Sequence, residues 1–503
     1  MIRSSWSPRA IARTVCAFAL ALTASSAFAQ QSPDARLDAM TRELEAVKKE
    51  VQGLKGAASK ESPMAWLTVG GDFRTRHDKL VAHVPSYTQF LGTFTGAVPN
   101  TAAYAAKTIR NDSLFTNRFG LDLKARVLEN VTLSSRLLMY KTFGMTTSAP
   151  TQAGYFADRS NTSGVFDGTR GRIPADNSLL VDQAYASWNS IGGQPVWFSA
   201  GRRPSTGGAP GNVRQNFDIS GSAGTPALLV DYAFDGFTLG AAPDVEALPG
   251  FAAKVCYGRA FEAGYRETGG PSLADTDMLG LALIPYETDD WRVDAQYQRG
   301  FGIMDTIPGP NVRANLGDLE EYGLNVMRTV RQVGPGEVRL FAAGAMSRAL
   351  PSGDRYNAGF GTGNPGLMFG GTEQKNNAGY AAYVGTRYDF TKTGTKLGAE
   401  YNHGSKYWVT FAPAADDIWT SKLGTRGQVY ELYLVQELMR KAVSPRGRAF
   451  FRVGWQYYNF DYTQSNSWVG APQKIASLTA ADMQFMAPIK NAYDIYTTFE
   501  VRF

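Results

Sequence analysis

The sequence predicts an all-β chain that forms a transmembrane antiparallel β-barrel of about sixteen strands. Three observations support this prediction: an export signal at the amino end, many short segments in which apolar and polar residues alternate, and links between those segments that are short and long in turn. Lipid-facing residues alternate with lumen-facing residues in such a barrel, so a mean hydropathy of −0.25 is compatible with it.

The amino end has the features of a secretory signal peptide. Three arginines precede an apolar stretch at 15–22, and Ala27-Phe28-Ala29 then provides a small-residue cleavage site. We expect residues 1–29 to be removed, which takes away three arginines and no acids and lowers the formal charge from +6 to +3. This mild excess does not indicate a nucleic-acid partner.

Residues 30–60 predict a periplasmic helix followed by a linker. Apolar residues recur there at alternating spacings of three and four, which is the heptad pattern of a coiled coil. Glu and Lys residues flank this seam as they do in parallel coiled coils, so we expect self-association, with a lone amphipathic helix as the alternative. The predicted seam residues are Leu37, Met40, Leu44, Val47, Val51 and Leu54.

Residues 64–503 predict the barrel itself, with sixteen strands and with fourteen or eighteen as the alternatives. A break at Asp235-Gly236 would give an odd count, so we expect one long strand there. Strands are expected near 66–76, 112–127, 131–143, 179–188, 195–203, 228–241, 251–260, 276–286, 291–301, 318–330, 337–347, 378–390, 395–405, 425–440, 447–460 and 490–503.

The final segment, Tyr493 to Phe503, alternates strictly and ends on an aromatic residue. Such a segment is typical of the closing strand of bacterial outer-membrane barrels, which the barrel-assembly machinery recognises. We therefore expect Tyr493, Phe499, Val501 and Phe503 to face lipid and to form the assembly signal.

Patterns for enzymatic chemistry are weak in this chain. It has three histidines, none with the spacing of a metalloprotease motif, and it lacks a nucleophile elbow or a covalent haem site. We expect no enzyme activity, no cofactor and no metal.

A Gly- and Pro-rich segment, Gly201 to Pro210, continues through Arg214 into a long link. In a barrel of this kind a loop at this position can fold into the lumen and narrow it. Arg202, Arg203 and Arg214 would then set a positive field at the constriction and favour anions. The alternative is an external loop with solvated arginines.

Charged residues elsewhere alternate with apolar ones, as expected for a wet lumen. The residues expected to face the lumen are Arg74, Arg118, Lys124, Arg126, Arg136, Arg292, Asp294, Arg387 and Arg452.

Three segments carry a resemblance to a known family: Val181 to Trp188 (VDQAYASW), Gly201 to Gly208 (GRRPSTGG) and Phe234 to Gly240 (FDGFTLG). With them, the chain resembles an uncharacterised family of porin-like bacterial outer-membrane β-barrel proteins with an N-terminal coiled-coil segment. The resemblance implies a barrel and a presumed channel, with no established solute.

We therefore expect a porin for passive diffusion of small hydrophilic solutes, with a mild preference for anions. We expect it in the bacterial outer membrane, in contact with lipid, and as a homotrimer. A structural or conduit barrel that houses or tethers a partner such as a cytochrome is the first alternative, and a barrel enzyme is the second.

Overall fold

The computed structural model describes residues 65–96, 98–144, 174–218, 227–265, 273–307, 312–352, 366–369, 375–412, 417–444 and 446–503. The predicted signal peptide and the predicted coiled-coil seam lie outside these residues. Leu67–Phe503 forms one compact unit. No helix in the described ranges is both long and apolar enough to cross a membrane.

The compact unit is a closed barrel of sixteen strands, and each strand pairs antiparallel with its neighbours. With strands numbered along the chain, the barrel consists of β1 (Leu67–Val84), β4 (Lys107–Arg126), β5 (Val131–Thr142), β6 (Leu180–Trp188), β7 (Val196–Ser205), β8 (Tyr232–Ala241), β9 (Ala252–Phe261), β10 (Thr276–Glu287), β11 (Trp291–Phe301), β14 (Gly317–Val333), β15 (Gly336–Pro351), β16 (Asn377–Phe390), β17 (Thr395–Gly404), β18 (Gly427–Glu437), β19 (Arg448–Phe460) and β21 (Asn491–Arg502). The loops carry β2 (Tyr87–Thr95), β3 (Val98–Tyr104), β12 (Met304–Ile307), β13 (Val312–Asn315) and β20 (Met483–Gln484).

The predicted strand count is confirmed, and each predicted strand matches one barrel strand. β8 runs unbroken through Asp235-Gly236, as the even count requires. The bounds of the first two predicted strands were wrong: β1 continues to Val84 and β4 begins at Lys107. The two strands pair over this extra length, so most of the predicted link at 77–111 is sheet.

The barrel closes where β21 pairs with β1. The backbone amide of Phe503 donates to the carbonyl of Gly71 at 3.0 Å, and the amide of Gly71 donates back to Phe503 at 3.0 Å. Along β21 the buried polar residues alternate with an outward series that includes Tyr493, Phe499 and Val501. The predicted closing strand is therefore where the barrel closes, while its role as an assembly signal stays a prediction.

Strand alternation gives the barrel an apolar outer surface, because successive side chains point to opposite faces. The outward apolar residues of the barrel strands are at least 37% exposed at many positions. They include Val69, Phe73, Phe115, Leu133, Phe198, Phe237, Leu239, Val255, Leu281, Leu324, Leu340, Leu397, Leu432, Val453 and Ile495. A surface of this extent is stable in contact with hydrocarbon and costly in contact with water.

The two ends of the barrel differ in their connections. Short links join the strands at one end, which we call the turn end; residues 334–335 between β14 and β15 are an example. Long links join the strands at the other end, the loop end; residues 405–426 between β17 and β18 are an example. The predicted alternation of short and long links is confirmed.

The described loops pack together across the loop end. Ile303, Leu316, Leu367, Phe411 and Trp468 come from four different loops and join one buried apolar cluster. Burial of such side chains stabilises the loop contacts by the hydrophobic effect.

A buried arginine also links two of these loops, 405–426 and 461–490, by hydrogen bonds. Arg426 is fully buried and donates to the carbonyls of Trp408 at 2.8 Å, Gln464 at 2.7 Å and Ser467 at 2.6 Å. Burial lowers the pKa of Arg426 to about 9, which still leaves it charged at neutral pH.

Candidate functional site: the barrel interior

The loop between β7 and β8 enters the barrel. We call residues 206–231 the inner loop; 206–218 and 227–231 of it are described. Gly207 has a positive φ of 69°, and its amide donates to Asp231 Oδ1 at 3.0 Å, which turns the chain at the base of the loop. The two limbs meet where Ala227 N donates to Ala209 O at 2.9 Å. A short helix, Gly211–Arg214, then leads inward.

The tip of the inner loop is held at the turn end of the opposite wall. Arg502 donates to Asn216 O at 2.8 Å and to Gln215 O at 2.7 Å. Lys396 Nζ donates to Asn216 Oδ1 at 2.7 Å, and Asn216 Nδ2 donates to Glu437 Oε1 at 3.1 Å. Because these partners sit near the turn ends of β21, β17 and β18, the loop crosses the interior from the loop end to the turn end.

Next to this tip, the inner loop is also fixed by a buried ion network. Arg214 contacts Asp417 at 2.7 Å and Glu431 at 2.9 Å. Lys422 contacts Glu431 at 2.6 Å and also pairs with Glu400. Burial opposes the charge on Arg214, but the two carboxylates outweigh it and raise the pKa of Arg214 well above its ordinary value.

A second loop, 405–426, pairs with the returning limb of the inner loop. Thr410 Oγ1 donates to the carbonyls of Leu228 at 2.6 Å and Leu229 at 2.9 Å. Val213, Leu228, Leu229 and Trp408 pack with side chains of β15 and β16 in one buried apolar cluster. The described parts of these two loops therefore occupy the interior on the side of β14–β18 and β21.

The opposite side, along β6–β11, retains a cavity of about 470 Å³. Three cationic side chains line it, together with hydroxyls, a thiol and several apolar groups. The polar and charged lining residues are Tyr185, Ser187, Asn189, Ser199, Arg203, Ser205, Thr238, Lys254, Cys256 and Arg292. A smaller cavity of about 40 Å³ shares Arg203, Lys254 and Cys256 with it and reaches the apolar cluster of the loop end at Val230 and Phe234.

The cations of this cavity differ in their partners. Arg203 is 6% exposed and donates to Thr238 Oγ1 and, at 3.0 Å, to the carbonyl of Tyr257. Arg292 is ion-paired with Asp294 at 2.8 Å and with Glu287. No carboxylate is among the described residues that line the cavity, so cationic side chains outnumber carboxylates in this lining.

The structure separates the three arginines predicted for the constriction. Arg203 lines the cavity and Arg214 lies in the ion network. Arg202 pairs at 3.2 Å with Asp235, which is 58% exposed and shares the outward face with Phe198 and Phe237. The grouping of Arg202 with the other two was wrong, because adjacent strand residues point to opposite faces.

Most wall charges expected in the lumen lie in ion pairs. Arg118 contacts Asp72 at 3.3 Å, and Arg136 contacts both Asp72 and, at 2.8 Å, Asp122. The other placements are Arg74 buried on β1, Arg387 with Asp389 at 2.6 Å, Arg452 with Glu500 at 3.9 Å, and Lys124 and Arg126 exposed near the turn end of β4.

Sequence reasoning missed Lys254, Asp417 and Lys422. The signal for Lys254 was present, since Lys254, Cys256 and Gly258 alternate with Ala253, Val255 and Tyr257 on β9. Asp417 and Lys422 lie in an irregular loop, where no periodic pattern marks direction. In the part of the chain that the structure describes, no three His, Cys, Asp or Glu side chains are grouped as metal ligands.

Comparison with solved structures finds several barrels of similar extent. They include Salmonella typhi OmpF in complex with daunomycin (13% identity, TM-score 0.42, 86% of this chain and 97% of that chain), an anion-selective porin from Comamonas acidovorans (10%, 0.40, 87% and 99%) and the trimer form of OmpT from Vibrio cholerae (12%, 0.38, 87% and 99%). At these identities and TM-scores nothing about activity follows for this chain.

No curated protein matches the sequence. One family model does, over residues 108–503, which extend from β4 through β21. That match spans well over half of the sequence, and it agrees with the resemblance carried by the three quoted segments. The chain belongs to the family described as "Protein of unknown function (DUF3373)".

Proposed function

We propose that this protein is an outer-membrane porin through which small hydrophilic solutes diffuse passively, with anions favoured. The observation that carries the proposal is the cavity along β6–β11, which lies beside the inner loop and is lined by Arg203, Lys254 and Arg292. The apolar outer surface supports a membrane location, and the closed barrel leaves no unpaired strand edge in lipid.

The preference for anions follows from charge and surroundings. A narrow passage with low-dielectric walls focuses the field of its lining charges, so a positive lining raises the local concentration of anions. Arg292 is partly neutralised by Asp294 and Glu287. Arg203 forms no ion pair with a carboxylate among the described residues and therefore supplies the excess positive charge. Lys254 lines the same cavity, and the hydroxyls beside these two side chains can replace water around a passing solute.

The proposal extends to assembly. We propose export by the signal peptide 1–29, insertion by the barrel-assembly machinery, and a homotrimer held by its barrels and by a coiled coil within residues 30–60. Support comes from the sequence patterns alone. A mature protein that stays trimeric after deletion of residues 34–55 would rule out the coiled-coil contribution.

A barrel that only houses or tethers a partner is the competing function. One observation favours a barrel that tethers a partner: the inner loop and loop 405–426 pack inside the barrel, so the chain itself fills much of the interior. The same packing argues against a cytochrome inside the lumen, since the described cavity of about 470 Å³ holds a small molecule and not a protein.

Planar-bilayer recording of the purified protein tests the proposal. We expect discrete conductance and a reversal potential in a KCl gradient that shows anion preference. Replacing Arg203 and Lys254 together with Ser should move the reversal potential toward cations. Arg202→Ser is the matched control, because Arg202 is adjacent in sequence but faces outward. No conductance would favour the tethering barrel, and an unchanged reversal potential would place the cavity outside the conduction path.

A further inference from the structure

We infer that the cavity along β6–β11 is a binding site for a small organic anion, a monocarboxylate that carries an apolar or aromatic group. The inference deepens the proposed function, since it names the solute class that the interior recognises. It rests on three features of the cavity: an arginine that no described carboxylate pairs with, a set of hydroxyls, and a flat apolar wall.

Arg203 provides the cation. It lines the cavity, and its Nη1 and Nη2 donate to Thr238 and to the carbonyl of Tyr257, which are both uncharged acceptors. No carboxylate in the described ranges forms an ion pair with Arg203. A buried guanidinium without a counter-ion is costly, so a carboxylate bound there would be strongly favoured.

The second feature is the polar lining around that guanidinium. Lys254 lines the same cavity and adds a second positive charge to it. Ser199, Ser205 and Tyr185 also line it and offer hydroxyl donors. Two cations and several hydroxyls suit one carboxylate group; they do not suit a cation or a wholly apolar ligand.

The third feature, the apolar wall, determines what the ligand carries besides its carboxylate. Trp197, Ala282 and Ile284 line the cavity with apolar surface. The ring of Trp197 occupies the space that Gly240 leaves free by having no side chain, so the indole forms a fixed flat wall. Small-ligand sites typically have volumes of roughly 300–1,000 Å³. The cavity is about 470 Å³, which accommodates a carboxylate that carries a ring or a short chain. An inorganic anion would contact the cations but not the apolar wall, so it fits the cavity less completely.

Cys256 is a built-in reporter for this site. It is a free thiol, it lines the cavity, and it accepts a hydrogen bond from Thr238 Oγ1 at 3.3 Å. The other cysteine, Cys16, lies in the predicted signal peptide. In purified mature protein, thiol reagents should therefore report access to the cavity directly, without any measurement of conductance.

The test compares the rates at which a negatively and a positively charged alkylthiosulfonate of equal size modify Cys256 in detergent. We expect the anionic reagent to react about tenfold faster, because the positive cavity concentrates it. Benzoate should slow this reaction in proportion to its occupancy, whereas benzamide, its neutral analogue, should not. Cys256→Ser should abolish labelling and so confirm which thiol reacts.

Replacing Arg203 and Lys254 with Ser should remove both the charge preference and the protection by benzoate, while Arg202→Ser keeps both. Two results with the wild-type protein alone would overturn the inference. One is equal modification rates for the two reagents, and the other is equal protection by benzoate and benzamide. Benzoate protection in a protein that conducts nothing would refute the porin and keep the site. Conductance without benzoate protection would refute the site alone.

Discussion

Arg214 anchors the inner loop to the rest of the barrel interior. Its guanidinium joins the inner loop to Asp417 on loop 405–426 and to Glu431 on β18. Replacement by Met keeps the length of the side chain and removes the charge. We expect Arg214→Met to weaken the seating of the inner loop and to let the channel reach states of higher conductance.

The free-energy cost of Arg214→Met follows from the contacts that Asp417 and Glu431 lose and from those that they keep. Breaking a buried ion pair by removing one partner costs about 3–5 kcal/mol. Glu431 keeps Lys422 and the hydroxyl of Tyr496, and Asp417 keeps the side-chain amide of Gln456. We therefore expect the low end, about 3 kcal/mol, which changes the ratio of seated to released loop about 150-fold.

Single-channel recording measures this shift as more frequent and longer excursions to the higher conductance. Proteolysis of the inner loop in detergent should accelerate in parallel. Arg214→Lys retains the charge and should lie between the wild type and the Met variant. Arg202→Met makes the same chemical change on the outward face and should leave the current unchanged. Currents from Arg214→Met that match the wild type would refute the ion network as the element that seats the loop.

The remaining predictions concern the loop end. Arg426→Met leaves the buried carbonyls of Trp408 and Ser467 without their side-chain donor at about 1–3 kcal/mol each, while the Gln464 carbonyl keeps the amide of Ser467. Proteolysis within loops 405–426 and 461–490 should therefore rise sharply. The exposed Arg440→Met serves as the control, and equal proteolysis in both variants would disprove the role of Arg426. Burial raises the pKa of Asp305, which accepts a hydrogen bond from Trp468 Nε1 at 2.7 Å, well above its ordinary value. Above a pH of about 4, Asp305 therefore keeps its proton in the folded loops and loses it in unfolded ones, so the stability of the loops should fall as pH rises. Asp305→Asn should flatten this dependence in thermal melts. A variant with the same pH profile as the wild type would contradict the prediction.

Alternation along the chain made the strands predictable, because each strand in a barrel presents one face to hydrocarbon and one to the interior. The same rule, applied to β7, separates Arg202 from Arg203, so that error came from treating the arginines as one loop. The alternation on β9 also marks Lys254 as inward. The local alternation of residues therefore predicts the barrel strands and part of the cavity lining.

The filling of the interior could not be predicted in this way. Arg214 and Glu431 are 217 residues apart, and Arg502 and Gln215 are 287 apart. Such pairs depend on the path of an irregular loop through the lumen, which no periodicity encodes. The Gly-rich segment predicted that the loop could turn inward, but it did not predict which wall would receive it.

The anchoring of the inner loop has a consequence for the order of assembly. The loop lies in the first half of the chain, whereas the side chains that hold its tip belong to β17, β18 and β21. Contacts of such long sequence separation carry a large loop-closure cost and tend to form slowly. The full set of anchors exists only when the last strands are in place, so we expect the loop to take its final position late. Leakiness should therefore peak during insertion and fall when the wall is complete.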